Sequence, residues 1–334
     1  MIKNHLEELK NVKRCNACVL PSTFPGISFD DDGICNFCRD YKQTVPDLDK
    51  EQELERMFAK LKNKKGRYDC IVPISGGKDS TYVLYLVKMK YNLNPLTITV
   101  DNHFRSVQAD RNLQRALKIT DVDHQMITPR WSIMQKLYKR FLDNEGKGKF
   151  VSEFCIPCNI AIWTAVNQIG SLYGIPIIYG GIREIESSPA EIFGFSSQYF
   201  KNIALEVLTE NEIHEFAPYP MDYKNASMDN ELDSIWIFDY IYWDRIKERE
   251  AIRTLGWKKG RKNIGEIHID CELHGLCNQF HKKSWGSIRT ALHYSKMIRR
   301  GDMQRNEAIK LLEKEEIEDP TTILEYFRSR LAQF

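Results

Sequence analysis

The sequence predicts a doubly wound α/β fold: a parallel sheet with helices on both faces, a small cysteine-rich segment before it and a helical region after it. Three observations lead there. Between Cys70 and Tyr179 short apolar runs alternate with stretches of helical spacing, the pattern of buried parallel strands and their crossover helices. Residues 1–50 carry four cysteines in two C-x-x-C pairs among turn formers. Beyond Glu184 the short apolar runs give way to longer helix-like stretches.

In chain order, Met1 to Lys10 reads as a charged, helix-like start rather than a signal peptide. The segment 1–50, with Pro21, Pro25, Gly26 and Pro46, is too small to bury its own core and needs a staple. Cys15, Cys18, Cys35 and Cys38 are spaced C-x2-C-x16-C-x2-C. Four thiolates at that spacing can close a tetrahedral shell around Zn²⁺, leaving no ligand position for substrate, so the metal is expected to be structural. Structural zinc contributes about 10–16 kcal/mol of apparent binding energy, enough to fold such a piece.

Residues 51–65 read as a helix with Leu54, Phe58 and Leu61 on one face. Strands are expected at 70–75, 95–101, 122–128 and 175–179, and helices at 79–90, 106–118, 131–142 and 159–173. Past them, helices are expected at 206–216, 232–255, 284–300, 306–316 and 322–332, with Asp302 and Thr321 as N-caps. The expected domains are 1–50, 51–200 and 201–334.

The most informative stretch is Ile71-Val72-Pro73-Ile74-Ser75-Gly76-Gly77-Lys78-Asp79-Ser80-Thr81. An apolar strand runs into a Ser-Gly-Gly-x-Asp-Ser turn and then a helix. Two glycines let backbone amides approach a ligand, and the helix N-terminus aims its orphan N–H groups at the same spot. Ser75 and Ser80 add hydroxyls and Lys78 a positive charge, so the turn suits a polyphosphate. A Walker A loop would need Gly at Val72 and Ser or Thr at Asp79. The spelling resembles instead the PP-loop ATP pyrophosphatases, of HUP-like fold, which cleave ATP between the α- and β-phosphates. That resemblance implies ATP and Mg²⁺ as cofactors. Asp101 and the Gly180-Gly181 pair lie at other strand ends, where ligands of such sheets bind. Asp101 is thus a candidate for nucleotide or magnesium, or a plain turn residue.

Hydrophobic content of 42%, with 28% charged residues, is that of a globular protein. No apolar run reaches the length of a membrane span. A net charge of +2 is too mild to demand a nucleic-acid partner. The nine cysteines, with no secretion signal, favour metal or redox chemistry over a disulfide framework and point to the cytoplasm.

Cys155-Ile-Pro-Cys158 begins an expected helix. Some PP-loop sulfur transferases for tRNA hold an iron–sulfur cluster there with a later cysteine; Cys271 would supply it here, with Cys277 in reserve. Two packed thiols or a second metal site are the alternatives, and Cys70 reads as a core residue. Arg183, close to Glu184 and Glu186, could meet phosphate or pair with those carboxylates. His268, Asp270 and His274 could transfer protons. Arg253, Lys258, Lys259, Arg261 and Lys262 read as a solvated basic loop, or as a site for a sugar-nucleotide diphosphate or an RNA backbone. Trp236, Phe238, Tyr240, Tyr242 and Trp243 read mostly as helical packing.

The cysteine array joined to the phosphate turn, Cys155-x-x-Cys158 and a helical half around Cys271 together resemble the N-acetyl sugar amidotransferases of bacterial surface-polysaccharide (lipopolysaccharide O-antigen) synthesis. The resemblance spans nearly the whole chain. It implies conversion of the acetamido group of a nucleotide sugar to an acetamidino group through an adenylated amide oxygen. Ser75, Gly76, Gly77 and Ser80 would cradle pyrophosphate, Lys78 would balance its charge, and Asp79 or Asp101 would hold Mg²⁺. Ammonia would come from a separate glutaminase and channel partner, since no cysteine has glutaminase-like flanks. tRNA thiolation with Cys155, Cys158 and Cys271 as cluster ligands is the rival reading, and a zinc-bearing nucleotide-binding module the third.

Overall fold

The computed structural model describes residues 12–42, 48–62, 66–143, 155–181, 197–216, 234–260, 269–315 and 321–332. Five strands form one sheet: β1 (Cys70–Pro73), β2 (Pro95–Val100), β3 (His124–Ile127), β4 (Ile177–Tyr179) and β5 (Ser234–Trp236). The order is β3-β2-β1-β4-β5 and each neighbouring pair is parallel. Ile71 of β1 lies opposite Leu96 on one side and Ile177 on the other. The chain therefore builds outward from β1 to β3 and then returns to place β4 beside β1. That reversal opens a crevice beyond the carboxyl ends of β1 and β4, where open α/β sheets bind ligands.

The apolar runs become strands because both faces of the sheet are covered. Ile71 packs with Leu96, Ile98, Val166 and Ile177 on one face. Its neighbours Cys70 and Val72 pack on the other with Val83, Leu113 and Ile178, as the two-residue period of a strand requires. Cys70 is thus the core residue expected.

Helices α1 (Leu48–Lys62), α2 (Lys78–Tyr85, continued by a π turn at Leu86–Lys90), α3 (Val107–Thr120), α4 (Trp131–Asp143) and α5 (Ile156–Tyr173) follow the expected sequence of elements. Leu54, Phe58 and Leu61 are the buried face of α1. The Ser106 side chain accepts from the Ala109 amide to start α3. α5 stops at Gly174, whose φ of 62° is a left-handed cap.

The second half departs from expectation. The single helix expected at 232–255 is instead β5, a short 3₁₀ turn (Ile237–Asp239) and helix α8 (Arg245–Thr254), preceded in the chain by α6 (Ser197–Ala204) and α7 (Glu210–Phe216). Ile235 and Trp236 favour a strand. The Asp244 side chain accepts from the amides of Ile246 and Lys247 and begins α8 afresh. The sheet consequently takes a strand from beyond residue 200. The aromatic cluster packs as core: Phe238 stacks on Trp243 at 4.1 Å and on Tyr82 at 5.9 Å, and Trp236 on Tyr179 at 5.2 Å.

The helix expected at 284–300 begins only at Thr290 (α10, Thr290–Arg300), and a helix that was not expected, α9 (His274–Trp285), precedes it and ends at Gly286 with φ 70°. α11 (Arg305–Glu315) and α12 (Thr321–Ala332) complete the described chain. Asp302 caps no helix; it pairs with Arg300 at 3.3 Å and accepts from Tyr242 at 3.1 Å. Thr321 is the first helical residue rather than a cap. Met1 to Lys10 lies outside the described residues.

Candidate functional site

Beyond β1 the chain turns at Ser75-Gly76-Gly77 into α2, whose N-cap is Gly77 with no side-chain cap. The first amides of α2 therefore have no side-chain acceptor at the cap, the arrangement that binds anions. Gly76 is required on two counts. Its φ is +84°, and a Cβ there would lie 2.2 Å from the Ala109 carbonyl oxygen of α3. The Gly76 carbonyl accepts from Trp257 Nε1 at 3.2 Å and Asn112 Nδ2 at 3.5 Å. Ser75 N donates to Ser80 Oγ at 3.1 Å, the two hydroxyls lie 3.1 Å apart, and Arg105 donates to the Ser75 carbonyl at 2.9 Å. Gly180, at the end of β4, lets strand and helix meet: a Cβ there would stand 2.8 Å from Val83 Cγ2.

The charges beside the turn form a network that the sequence reading did not find. Lys78 pairs with Asp79; Arg245 of α8 reaches Asp79 at 3.2 Å and Glu248 at 2.9 Å; Lys78 stands 3.9 Å from Glu248. Arg245 also lies over Trp243, 4.0 Å from the ring centroid. Burial works against the Asp79 charge, yet Lys78 and Arg245 hold its carboxyl well below the usual range. Glu248 is only 1% exposed, and burial raises it to about 7 despite Lys78. The one available signal was Asp244 as an N-cap, with Arg245 and Glu248 three apart on the helix it starts.

The turn opens on a cleft of about 470 Å³. Ser75, Gly77, Lys78, Asp79, Ser80, Gly180 and Gly181 line it, with Arg245 and, from the later helices, Asp270, His274 and Arg289. Asp270 arrives because Arg105 bridges Cys271 and Ser106 N donates to the Asp270 carbonyl at 3.2 Å. Asp101 is not in the lining; at the end of β2 its carboxylate accepts from its own turn, at the His103 amide, 2.8 Å away. The structure thus brings the expected phosphate turn and the Gly180-Gly181 pair together and leaves Asp101 aside. Lys258 is tied through its backbone to Asn112. Arg183, Glu184, Glu186, Arg261, Lys262 and His268 lie outside the described residues.

Cys15, Cys18, Cys35 and Cys38 have sulfur atoms all within 4.8 Å of one another. The Cys18–Cys35 and Cys15–Cys38 separations are 3.8 and 3.9 Å, close to the edge of ~3.8 Å that a tetrahedron with metal–sulfur bonds of about 2.3 Å requires. The donor set fits a four-coordinate metal ion.

The second cysteine set does not gather in that way. Among the described residues no other group of three or more ligating side chains comes within 4.8 Å. Cys155 instead faces Cys277 at 3.8 Å and accepts from Arg289 at 3.2 Å, while Asn102 donates to Cys271 at 3.4 Å. Its contact with Cys277, then Arg289, lowers Cys155 to about 6; burial raises Cys158 and pushes Cys271 up to about 12. Of the later cysteines expected beside the Cys155-x-x-Cys158 pair, it is Cys277, held in reserve behind Cys271, that lies in contact with Cys155.

No family model matches the chain. It is 26% identical over 322 residues to the uncharacterized protein MJ1599 of Methanocaldococcus jannaschii, covering 95% of this chain and 98% of that protein. Among solved structures it is similar to an NMN synthetase from Francisella tularensis, at 12% identity and a TM-score of 0.37, covering 80% of this chain and 91% of the other. It is also similar to an NH3-dependent NAD synthetase from Campylobacter jejuni, at 14% identity and a TM-score of 0.32, covering 76% and 93%. At these values neither likeness carries function to this chain.

Two outcomes follow from the site. Elemental analysis of the purified chain should find one tightly held metal ion, zinc, and Cys35→Ser should release it; full retention by that variant would contradict the four-thiol site. Glu248, which burial raises from the ordinary carboxylate range to about 7, contributes stability that is fully present below its unfolded pKa and lost as pH rises through about 7. The melting temperature of the wild type relative to Glu248→Gln should therefore fall between pH 5 and 8, and a difference flat in pH would show that Glu248 does not titrate there.

Proposed function

We propose that the chain is an ATP-dependent, AMP-forming amidotransferase that replaces the acetamido oxygen of a nucleotide-activated N-acetyl sugar with ammonia. The observation that carries this reading is the Ser75–Ser80 turn: the start of α2, two serine hydroxyls and Lys78 converge at the reversal between β1 and β4. In this reading the backbone at Gly76 and Gly77, with Ser75 and Ser80, holds the phosphates that leave as pyrophosphate, and Lys78 balances their growing charge. Asp79, kept ionised by Lys78 and Arg245, would hold Mg²⁺, whose chemistry is to polarise the phosphoryl oxygens. Gly180 and Gly181 would present their backbone to the nucleotide from the cleft wall beside the turn.

The two half-reactions balance. The amide oxygen attacks the α-phosphorus, pyrophosphate leaves, and an O-adenylyl imidate forms with loss of the amide proton. Ammonia then adds to the imidate carbon, AMP departs carrying the former amide oxygen, and an amidine remains after loss of a proton. AMP is the better leaving group, which is why the poorly electrophilic amide needs ATP at all.

Residues 1–50 serve as a zinc-stapled support, 51–200 supply most of the nucleotide site and 201–334 the acceptor side. A separate glutaminase with a channel supplies ammonia, no nucleic acid or membrane takes part, and the reaction takes place in the cytoplasm, where ATP and sugar nucleotides are found. No described helix is long and apolar enough to cross a membrane. Sulfur transfer to tRNA is the weaker reading, because a net charge of +2 is mild for a polyanionic substrate.

With ATP, Mg²⁺, ammonium and a panel of N-acetyl sugar nucleotides, the chain should release AMP and pyrophosphate and yield a product one mass unit below the acceptor. Lys78→Ala should lower kcat/KM by about 100-fold, as removal of a preorganised transition-state charge partner does. ADP and phosphate as products would contradict the assignment of the turn.

A further inference from the structure

We propose that helix α10 carries a second anion site in the same cleft, distinct from the phosphate turn, which grips the phosphate end of the acceptor. The proposal rests on the amidotransferase reading and names the residues that select its substrate. Arg289, at the N-cap of α10, is followed by His293, Lys296 and Arg300. Steps of four, three and four keep all four on one helical face, and all four line the cleft that holds Ser75–Ser80.

The opposite side of α10 is occupied. Ala291 and Tyr294 pack with Val19, Ala308 and Leu312, and Leu292 and Ile298 pack against the cysteine segment. The helix therefore cannot rotate its cations away from the cleft. Its ends are fixed as well: Arg289 donates to Cys155, and Arg300 donates to the Trp243 carbonyl at 3.2 Å and pairs with Asp302. Among the described residues the cleft lining holds two carboxylates, Asp79 and Asp270, and Asp79 pairs with Lys78 and Arg245.

α9 adds a further sign. His281 is 1% exposed, lines the same cleft, and has no hydrogen-bond partner at either ring nitrogen among the described residues. A buried ring with two unsatisfied nitrogens calls for a polar ligand or water. The ATP phosphates are assigned to the turn in the reading above, so this face would serve a second phosphate-bearing molecule. The acceptor so bound would be a nucleoside diphosphate sugar whose anhydride lies along Lys296 and His293, which places its sugar between the two anion sites.

The test is calorimetric titration of the full chain with UDP as probe, with and without saturating α,β-methylene-ATP. The wild type should bind UDP in the presence of the ATP analogue. The double variant His293→Ala/Lys296→Ala should weaken UDP by at least about tenfold, the loss expected for charge-assisted hydrogen bonds. It should bind the analogue within about twofold of the wild type, which also shows that it is folded. Lys78→Ala should do the reverse, and Lys296→Glu should abolish UDP binding. Displacement of UDP by the analogue, or UDP affinity that follows Lys78 and ignores Lys296, would overturn the proposal. Turnover separates it from the reading beneath it. UDP held at α10 with no AMP formed from any sugar nucleotide removes the amidotransferase and leaves the anion site; AMP formation insensitive to His293 and Lys296 removes the anion site alone.

Discussion

The cleft depends on the backbone of Gly76 lying against the Ala109 carbonyl, a contact that no side chain larger than hydrogen permits. This approach brings the end of β1 and the start of α2 onto α3, and it commits the Gly76 carbonyl to Trp257 and Asn112. With that oxygen engaged and Ser75 anchored by Arg105, the amides at the start of α2 are fixed before any ligand arrives. Preorganised dipoles of this kind need no rearrangement when charge develops, which is where their catalytic worth lies.

The N-terminal cysteine segment belongs to the same mechanical system. Its small core of Cys15, Cys18, Leu20, Phe24 and Cys35 is completed from outside by Trp285. Arg299 lies 3.8 Å from Cys18 Sγ and 3.9 Å from Cys38 Sγ, and Arg305 donates to the carbonyls of Cys15 and Cys18 at 3.1 and 2.8 Å. A divalent ion in four thiolates carries a net negative charge, which Arg299 at the far end of α10 is placed to offset. Val19 N donates to Ser295 in the middle of that helix at 3.3 Å. One face of α10 thus rests on the cysteine segment while the other lines the cleft, so residues 15–38 reach the cleft through a single helix.

Much of this was legible in the sequence, and what was not has local causes. β1, β2 and the turn at Ser75 could be read because the apolar run, the two glycines and the helical spacing after them agree with one another. β5 was hidden because Trp236, Tyr240 and Trp243 recur at spacings of four and three, which fit a helix face, and only tertiary pairing with β4 makes Ser234–Trp236 a strand. The same misreading concealed Arg245 and Glu248, whose role exists only because α8 packs on α2 and brings them to Asp79. Asp101 was placed correctly at a strand end, but its carboxylate is used by the His103 amide; a strand-end position gives location and says nothing of direction. Cys277 stood in reserve behind Cys271, and only the packing of α9 on α5 decides that it is the thiol facing Cys155 across 122 residues of chain.

The central claim is that ATP activates an amide oxygen by transfer of AMP at the Ser75–Ser80 turn. Its most direct test is an oxygen-tracing experiment: an N-acetyl sugar nucleotide labelled with ¹⁸O in the acetamido carbonyl is turned over with ATP and ammonium, and the products are weighed. The account predicts that the label leaves the sugar and appears in the phosphate of AMP, one atom for each amidine formed. Label recovered in water or in inorganic phosphate, or retained in the product, would contradict it.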